Sequence, residues 1–393
     1  MIVFIIGGTG VLSTDIVKEC LSHGDTLYVL NRGRNRQDIE YGKNYHQIVC
    51  DIRNKDGVRQ IIAGKRFDVV IDFLSYTPEQ LSQTYEIFAP LCKQYIFISS
   101  CCVYRRSVVD GVITEQSYKP NTVLSYGLNK YNCEERLKQL AKDAQCKYTI
   151  VRPYITYGDT RIPFGLSPLE RYHWTLIGRI LADKPFFIWD GGTNRCSLLH
   201  SSDFAKIFHY ILLNPKAYNE DVNLTNNTFV KWIDVLEIIY DYLKRSKNGI
   251  ISIRKEEISQ HLPEFKESLM GDRSLEAVFD ITKLYDIVPE SRQLLEESKT
   301  LREGIIQTIE SYKLHNYYKG IDYRYDARVD RMLVKYVLKS QKDKIRFVDY
   351  LNYNKRRDII TYILYRYFPM WFIGIVRRLK KSNYSAPLLK ISR

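Results

Sequence analysis

The chain has 393 residues, too many for one small domain, and its 45% hydrophobic content belongs to a globular protein with a large core, not to a disordered chain. Its eight cysteines (Cys20, Cys50, Cys92, Cys101, Cys102, Cys133, Cys146 and Cys196) contain no CxxC pair, so neither a disulfide framework nor structural zinc is readable, and no metal is expected. The net charge of +14 is lopsided: from residue 316 onward 19 Lys/Arg stand against 6 Asp/Glu, which puts +13 of it in the tail.

The first element is a short apolar run, Ile2 to Ile6, which predicts a strand. No signal peptide precedes it, and a reducing cytoplasmic setting is expected. The run ends at Gly7-Gly8-Thr9-Gly10, and a helical pattern follows through Leu12, Ile16, Val17 and Leu21. Thr26 to Leu30 predicts the second strand, which completes a βαβ unit. A pyrophosphate must come close to the N-terminus of such a helix, where free N–H groups and the helix dipole favour negative charge. Side chains at the nearest points would block it, so Gly7 and Gly10 are expected cofactor contacts, with Val11 and Leu12 at the start of the helix. The third position of the pattern is Ser13, small enough to preserve helix–strand packing. An ordinary glycine turn would look the same in isolation; its place at the first strand–helix junction favours the dinucleotide.

The tip of the second strand selects the cofactor. Asn31-Arg32-Gly33-Arg34 carries no acid for the adenosine ribose. Arg32 can stack on adenine and pair with a 2′-phosphate, so NADP is preferred over NAD, although solvated loop arginines would read alike. Asp51, with Ile52 after it, follows the third strand and could accept from the adenine amino group; an ordinary turn aspartate is the alternative. Further continuous apolar strands are predicted at Phe67 to Phe73, Tyr95 to Ile98 and Tyr148 to Val151, with helical stretches between them. Strands buried on both faces belong to a parallel sheet covered by helices. The expected fold class is therefore α/β, a doubly wound Rossmann-type sheet.

Ile98-Ser99-Ser100-Cys101-Cys102-Val103-Tyr104 ends one of these strands, where doubly wound sheets bind ligands. Downstream, Tyr126-Gly-Leu-Asn-Lys130 sets a tyrosine and a lysine four residues apart, on one face of a helix start. A nearby ammonium favours phenolate, so Tyr126 can exchange a proton with a substrate hydroxyl that Ser100 also holds. A surface Tyr–Lys pair would show the same spacing; the upstream serine strand end is what argues for catalysis.

Together, Gly7-Gly8-Thr9-Gly10, Asp51, Ser99-Ser100-x-x-Val103-Tyr104, Tyr126-x-x-x-Lys130 and Val151-Arg152-Pro153 resemble the extended short-chain dehydrogenase/reductase family, NAD-dependent epimerase/dehydratase group. The resemblance runs from Met1 to about Tyr312 and includes Leu199-His200-Ser201-Ser202-Asp203-Phe204-Ala205, Gly271-Asp272-Arg273 and Val278 to Lys283. It implies that Tyr126 is the acid/base, that Lys130 activates it and binds the nicotinamide ribose, and that Ser100 binds the substrate oxygen. It also implies hydride transfer at a sugar carbon and a nucleotide-sugar substrate, contacted by Ser100, Tyr154, Arg195 and His200. The activity expected is that of an epimerase or reductase in sugar or surface-polysaccharide synthesis.

Two departures bear on the chemistry. Cys101 and Cys102 stand where the 4,6-dehydratase branch has an Asp-Glu pair, which disfavours water loss. Arg195 lies five residues before His200, where the family often has an arginine four before. Tyr157, Arg161, Arg171, Tyr172, His173 and Trp174 are further aromatic and basic candidates in the substrate half.

Three units are expected: residues 1–152 as the dinucleotide-binding domain, 153–315 as the substrate part, and 316–393 as a basic, mainly helical extension. In the extension Met332 to Leu338 and Ile359 to Tyr367 have helical periodicity. Tyr365 to Val376 is apolar and aromatic but too short to span a bilayer, and Arg377-Arg378-Leu379-Lys380-Lys381 follows it. This fits peripheral contact with anionic membrane, or a small helical unit docked on the enzyme. No nucleic-acid motif is present and no such partner is expected; a homodimer is left open. The alternative function is a Rossmann protein altered in catalysis that binds nucleic acid or dinucleotide as a regulator. The presence of Ser100, Tyr126 and Lys130 together favours the enzyme. A reductase or lyase of a lipid or small aromatic compound is a third reading.

Overall fold

The structure is a computed structural model that describes residues 1–33, 42–109, 111–168, 172–315, 320–348, 350, 355–369 and 371–375. The five apolar runs and two more polar segments form seven strands: β1 (Ile2–Ile6), β2 (Thr26–Asn31), β3 (Tyr45–Val49), β4 (Phe67–Asp72), β5 (Cys92–Ile98), β6 (Lys147–Pro153) and β7 (Glu220–Leu224). They make one sheet in the order β7-β6-β5-β4-β1-β2-β3, every pairing parallel. This is the expected doubly wound sheet, with β7 supplied from the substrate half.

Alternation within β1 explains why the run has no polar face. Val3 and Ile5 point into the core shared with α1 (Val11–Ser22), whereas Phe4 and Ile6 point into the opposite core. That second core is covered by α2 (Lys55–Ile62), α3 (Pro78–Phe88) and α4 (Ser125–Ala141), which bury Val58, Leu81, Phe88 and Leu137 there. The substrate half adds α5 (Trp174–Leu181) and α6 (Ser201–His209), and α6 packs beside α1.

Beyond residue 320, α7 (Tyr323–Leu333) and α8 (Lys355–Tyr367) pack on each other. The first tail helix thus lies N-terminal to the expected Met332 to Leu338; Val334 to Tyr336 form a turn instead. Its register is set by charge, which apolar periodicity does not report. Asp326 and Asp330, one turn apart on α7, pair with Arg179 of α5 and with Lys184, and all four side chains are fully buried. The second expected helix, Ile359 to Tyr367, falls within α8. Arg34, Arg171 and the basic run 377–381 lie outside the described residues.

Candidate active site

At the end of β1 the chain turns through Gly7, whose φ of +95° favours glycine; a Cβ there would lie 2.7 Å from the Leu74 side chain. A Cβ on Gly8 would lie 2.3 Å from Val29 Cγ1. Gly10 caps α1, its N–H donating to the buried Ser13 Oγ at 2.9 Å. The first turn of α1 holds no acid, and Val11 and Leu12 are half-buried beside it. A glycine cradle against the positive end of a helix fits a dinucleotide pyrophosphate.

Asn31, at the tip of β2, is buried and accepts from the Gly33 N–H at 2.8 Å, while its Nδ2 has no hydrogen-bond partner among the described residues. Arg32 is exposed beside it. Asp51 is gripped by Arg53 (Nε to Oδ1 at 3.0 Å, Nη2 to Oδ2 at 2.6 Å), which holds its carboxyl well below the usual carboxylate range. The Ile52 carbonyl accepts from Gln83 Nε2 at 2.8 Å. An orphaned amide and an exposed arginine at this tip suit the adenosine end of a dinucleotide.

Ser100 follows β5, and its Oγ accepts the Cys102 N–H at 3.1 Å. The start of α4 sits directly on this turn. A Cβ on Gly127 would lie 2.2 Å from the Cys102 carbonyl oxygen, so the glycine after Tyr126 is what allows the approach. Ser100 and Tyr126 consequently line one cavity of about 690 Å³, together with Cys102, Tyr154, Arg161 and His173. Such a volume is within the range of about 300–1,000 Å³ usual for small-molecule sites. Tyr126 is 40% exposed, yet crowding of its hydroxyl end raises its pKa above the ordinary phenol value, with Cys102 and Tyr76 adding to the rise. A hydrogen bond from Ser100 and the charge of Arg161 act in the opposite direction. His173 is buried and held neutral, its pKa lowered to about 3 by burial first and Arg161 second.

Lys130 is buried one turn further along α4. Its Nζ donates to the carbonyls of Ser75 (2.9 Å) and Ile98 (2.8 Å) and lies over the rings of Tyr76 (4.7 Å) and Phe97 (4.6 Å). Among the described residues no hydrogen bond joins it to Tyr126. Burial lowers its pKa to about 8, partly offset by Asp72. Asp72 was not singled out by the sequence. It is fully buried at the end of β4 and accepts from Ser75 Oγ (2.5 Å), Tyr95 (2.7 Å), Thr84 (3.0 Å) and two backbone N–H groups. A second support lies behind Ser100. Ser99 donates to Glu134 at 2.5 Å, and Arg152 grips the same carboxylate at 2.8 and 2.7 Å while also pairing with Asp221. The arginine of Val151-Arg152-Pro153 therefore ties the serine strand end to α4.

The two cysteines after Ser100 are buried, and burial pushes both thiols up. Cys101 donates to the Arg152 carbonyl at 3.2 Å, and Cys102 lies 3.8 Å from Asp272. Neither is an acid at neutral pH. Tyr154 lines the cavity under Arg106, which donates to its hydroxyl at 3.2 Å; Arg106 and Arg273 both pair with the buried Asp272. Two expected substrate contacts are not brought to this cavity. Arg195 is 57% exposed and bound to Glu276 at 2.7 Å. His200 caps α6 through Ser202 and is buried with its Nε2 unpartnered among the described residues. Spacing along the chain could not reveal that β-pairing sends Arg195 outward. At the other end of the sheet Cys20, Asp25 and His209 form a cluster of ligand atoms within 4.8 Å, but Asp25 is already held by the Met1 amine and His209.

The NAD dependent epimerase/dehydratase family matches residues 3–225. The chloroplast stem-loop binding protein of 41 kDa b of Arabidopsis thaliana is 25% identical over 241 residues, 58% of this chain; the chain spans 59% of that relative's length. UDP-glucuronic acid 4-epimerase from Bacillus cereus, solved with UDP-glucuronic acid and NAD, superposes with a TM-score of 0.64 at 18% identity, over 80% of this chain and 99% of its own. The dTDP-glucose 4,6-dehydratase of Bacillus anthracis, solved with NAD, does so with a TM-score of 0.63 at 18% identity, over 80% and 97%. At such identities the superpositions speak for the fold.

The setting of Lys130 has a measurable consequence. Folded Lys130 gives up its proton near pH 8, whereas an unfolded lysine keeps it to about 10.5, so the unfolded state binds more protons between these values. The stability lost by Lys130→Met should therefore grow as pH rises through this window, read from urea midpoints of parent and variant. A constant difference would mean that Lys130 titrates at its ordinary value.

Proposed function

Since the chain belongs to the NAD dependent epimerase/dehydratase family, we propose that it is an NAD(P)-dependent epimerase or reductase of a nucleotide sugar, acting through Ser100, Tyr126 and Lys130. The observation that carries the reading is the meeting of Ser100 and Tyr126 on one cavity that also holds arginines, at the carboxyl end of β5. When bound, the dinucleotide supplies the acceptor and donor of a hydride at the sugar carbon. Tyr126 takes the proton of the substrate hydroxyl in the oxidative direction and returns it in the reductive one. Ser100 holds the same oxygen. Lys130 uses two of its three donors on Ser75 and Ile98, which leaves one for the nicotinamide ribose. Its neighbouring charge favours the phenolate that burial opposes. With thiols, not carboxyls, after Ser100, the site has no acid there for dehydration.

Gly7, Gly10, Val11 and Leu12 would hold the pyrophosphate, and Asn31, Arg32, Asp51 and Ile52 the adenosine. We favour NADP on the strength of exposed Arg32 and the absence of an acid at the tip. The relative named as a stem-loop binding protein keeps the alternative of a nucleic-acid-binding regulator in view. That alternative gives no use for Ser100 and Tyr126 on one cavity with Lys130 one turn behind.

The tail supports a second proposal, peripheral contact with anionic membrane. Tyr367, Trp371 and Ile375 are 67%, 69% and 46% exposed, and Arg356 and Arg357 are exposed at the start of α8.

Three measurements test these readings. Tyr126→Phe should lower turnover by about 10²–10⁴-fold on the nucleotide sugar that mass spectrometry finds on natively purified protein, with dinucleotide affinity retained; unchanged turnover removes the acid/base. Arg32→Ala should weaken NADP binding far more than NAD binding in calorimetry, and equal losses would sink the preference. The full chain should float with phosphatidylserine vesicles at moderate salt, and Tyr367→Ser/Trp371→Ser should abolish this; a full chain that ignores such vesicles ends the membrane proposal. Point changes are needed because removing the whole tail would also remove Asp326 and Asp330 from Arg179 and Lys184.

A further inference from the structure

The cavity that holds Ser100 and Tyr126 is closed in part by the tail. Asp322, which caps α7, and Tyr325 and Arg328 of α7 line it, together with Glu264 and Arg273. All five lie beyond the residues 3–225 that match the family. Helix α7 is also firmly placed. Asp326 and Asp330 are locked onto Arg179 and Lys184, and the buried Tyr325 hydroxyl donates to the Leu166 carbonyl at 2.7 Å.

The cavity's arginines differ in what holds them. Arg273 is committed to Asp272, a carboxylate only 1% exposed. Arg161, on the exposed rim, has no ion pair with a described residue. Arg328 is intermediate. Its side chain is 14% exposed, its Nε donates to the Arg324 carbonyl at 3.4 Å, and both terminal nitrogens rest on Glu264, which is 42% exposed. A mostly buried guanidinium fork thus faces the cavity, occupied by a carboxylate that solvent can take over at little cost. The same fork geometry matches two oxygens of a phosphate.

We propose that Arg328 binds the diphosphate of the substrate, and that Glu264 occupies its fork until substrate displaces it. This rests on the nucleotide-sugar reading and deepens it: the basic tail, not only the family-like part of the chain, sets which anion the cavity accepts. In the exchange one phosphoryl group of the diphosphate takes the place of the carboxylate on the same cation, and Glu264 moves into water.

The test is calorimetric titration of the full chain, saturated with NADP, with UDP, dTDP, GDP and inorganic pyrophosphate. Arg328→Gln should weaken the diphosphates that bind by about tenfold, or ~1.4 kcal/mol. Glu264→Gln removes the competitor and should tighten them by about two- to fivefold, the worth of an exposed ion pair. Opposite signs distinguish ligand and placeholder from a structural pair, for which both variants weaken binding alike. Equal weakening, or an Arg328→Gln affinity equal to the parent's, overturns the assignment. Should Arg328→Gln fold poorly by thermal unfolding, the sign of the Glu264→Gln effect decides alone. If the parent binds none of the four probes, the nucleotide-sugar reading itself falls, and this one with it.

Discussion

Two cations and two carboxylates, sealed together between the substrate half and the tail, hold the rest of the arrangement in register. Arg179 reaches Asp326 at 2.5 Å and Asp330 at 2.9 Å, and Lys184 reaches the same two at 2.9 and 2.6 Å. Burying any one of these charges alone would cost several kcal/mol, and losing one partner of a buried pair costs about 3–5 kcal/mol. The cluster is neutral only if α7 presents both aspartates on one face and in one register. Tyr362 of α8 donates to Asp330 at 2.6 Å, and Tyr350 donates to Asp326 at 3.3 Å. One charge balance therefore positions α5, α7 and α8 and, with them, the cavity wall that carries Tyr325 and Arg328.

On the facing wall a single helix does comparable work with different chemistry. Tyr126, Lys130 and Glu134 are spaced by four along α4 and so share a face. Tyr126 meets the cavity, Lys130 is anchored on the carbonyls of Ser75 and Ile98, and Glu134 is bound by Ser99 and Arg152. The helix is thereby fastened to the ends of β5 and β6 at two levels below Tyr126. Close seating depends on Gly127, against the Cys102 carbonyl. Rigid placement of this kind is what a proton-transfer group needs, because small displacements cost large factors in rate.

The parts legible in the sequence are those with local causes. An apolar run, a glycine turn and a helical period within Met1 to Leu21 are enough for the first βα unit. A tyrosine and a lysine four residues apart, Tyr126 and Lys130, announce a helix face. What stayed hidden depends on distant partners. The lowered pKa of Lys130 comes from enclosure by β4, β5 and their loops. Arg195, already one residue out of the family's spacing, was expected at the substrate, but it pairs with Glu276 at the surface. Asp326 and Asp330 looked like acids diluted in a basic tail, and the helix expected at Met332 to Leu338 was misplaced because these buried acids interrupt the apolar face of α7. Arg328 was one of many tail cations, with nothing in its neighbours to say that it faces a cavity.

The same partnership changes the electrostatic account of the tail. Of its 6 acids, Asp326 and Asp330 are spent on cations of the body, Arg179 and Lys184. They do not offset the 19 Lys/Arg of the tail's own sequence. The count of +13 consequently includes two acids that neutralise the body, which in turn gives up two cations to the interior. One tail cation, Arg328, is turned inward in exchange and meets Glu264 at the cavity. Sequence charge divides the chain at residue 316, but the folded division follows which side of the buried cluster a residue lies on. Inside, tail residues shape a pocket for an anionic ligand; outside, they present a cationic and aromatic surface that the nearly neutral front of the chain lacks.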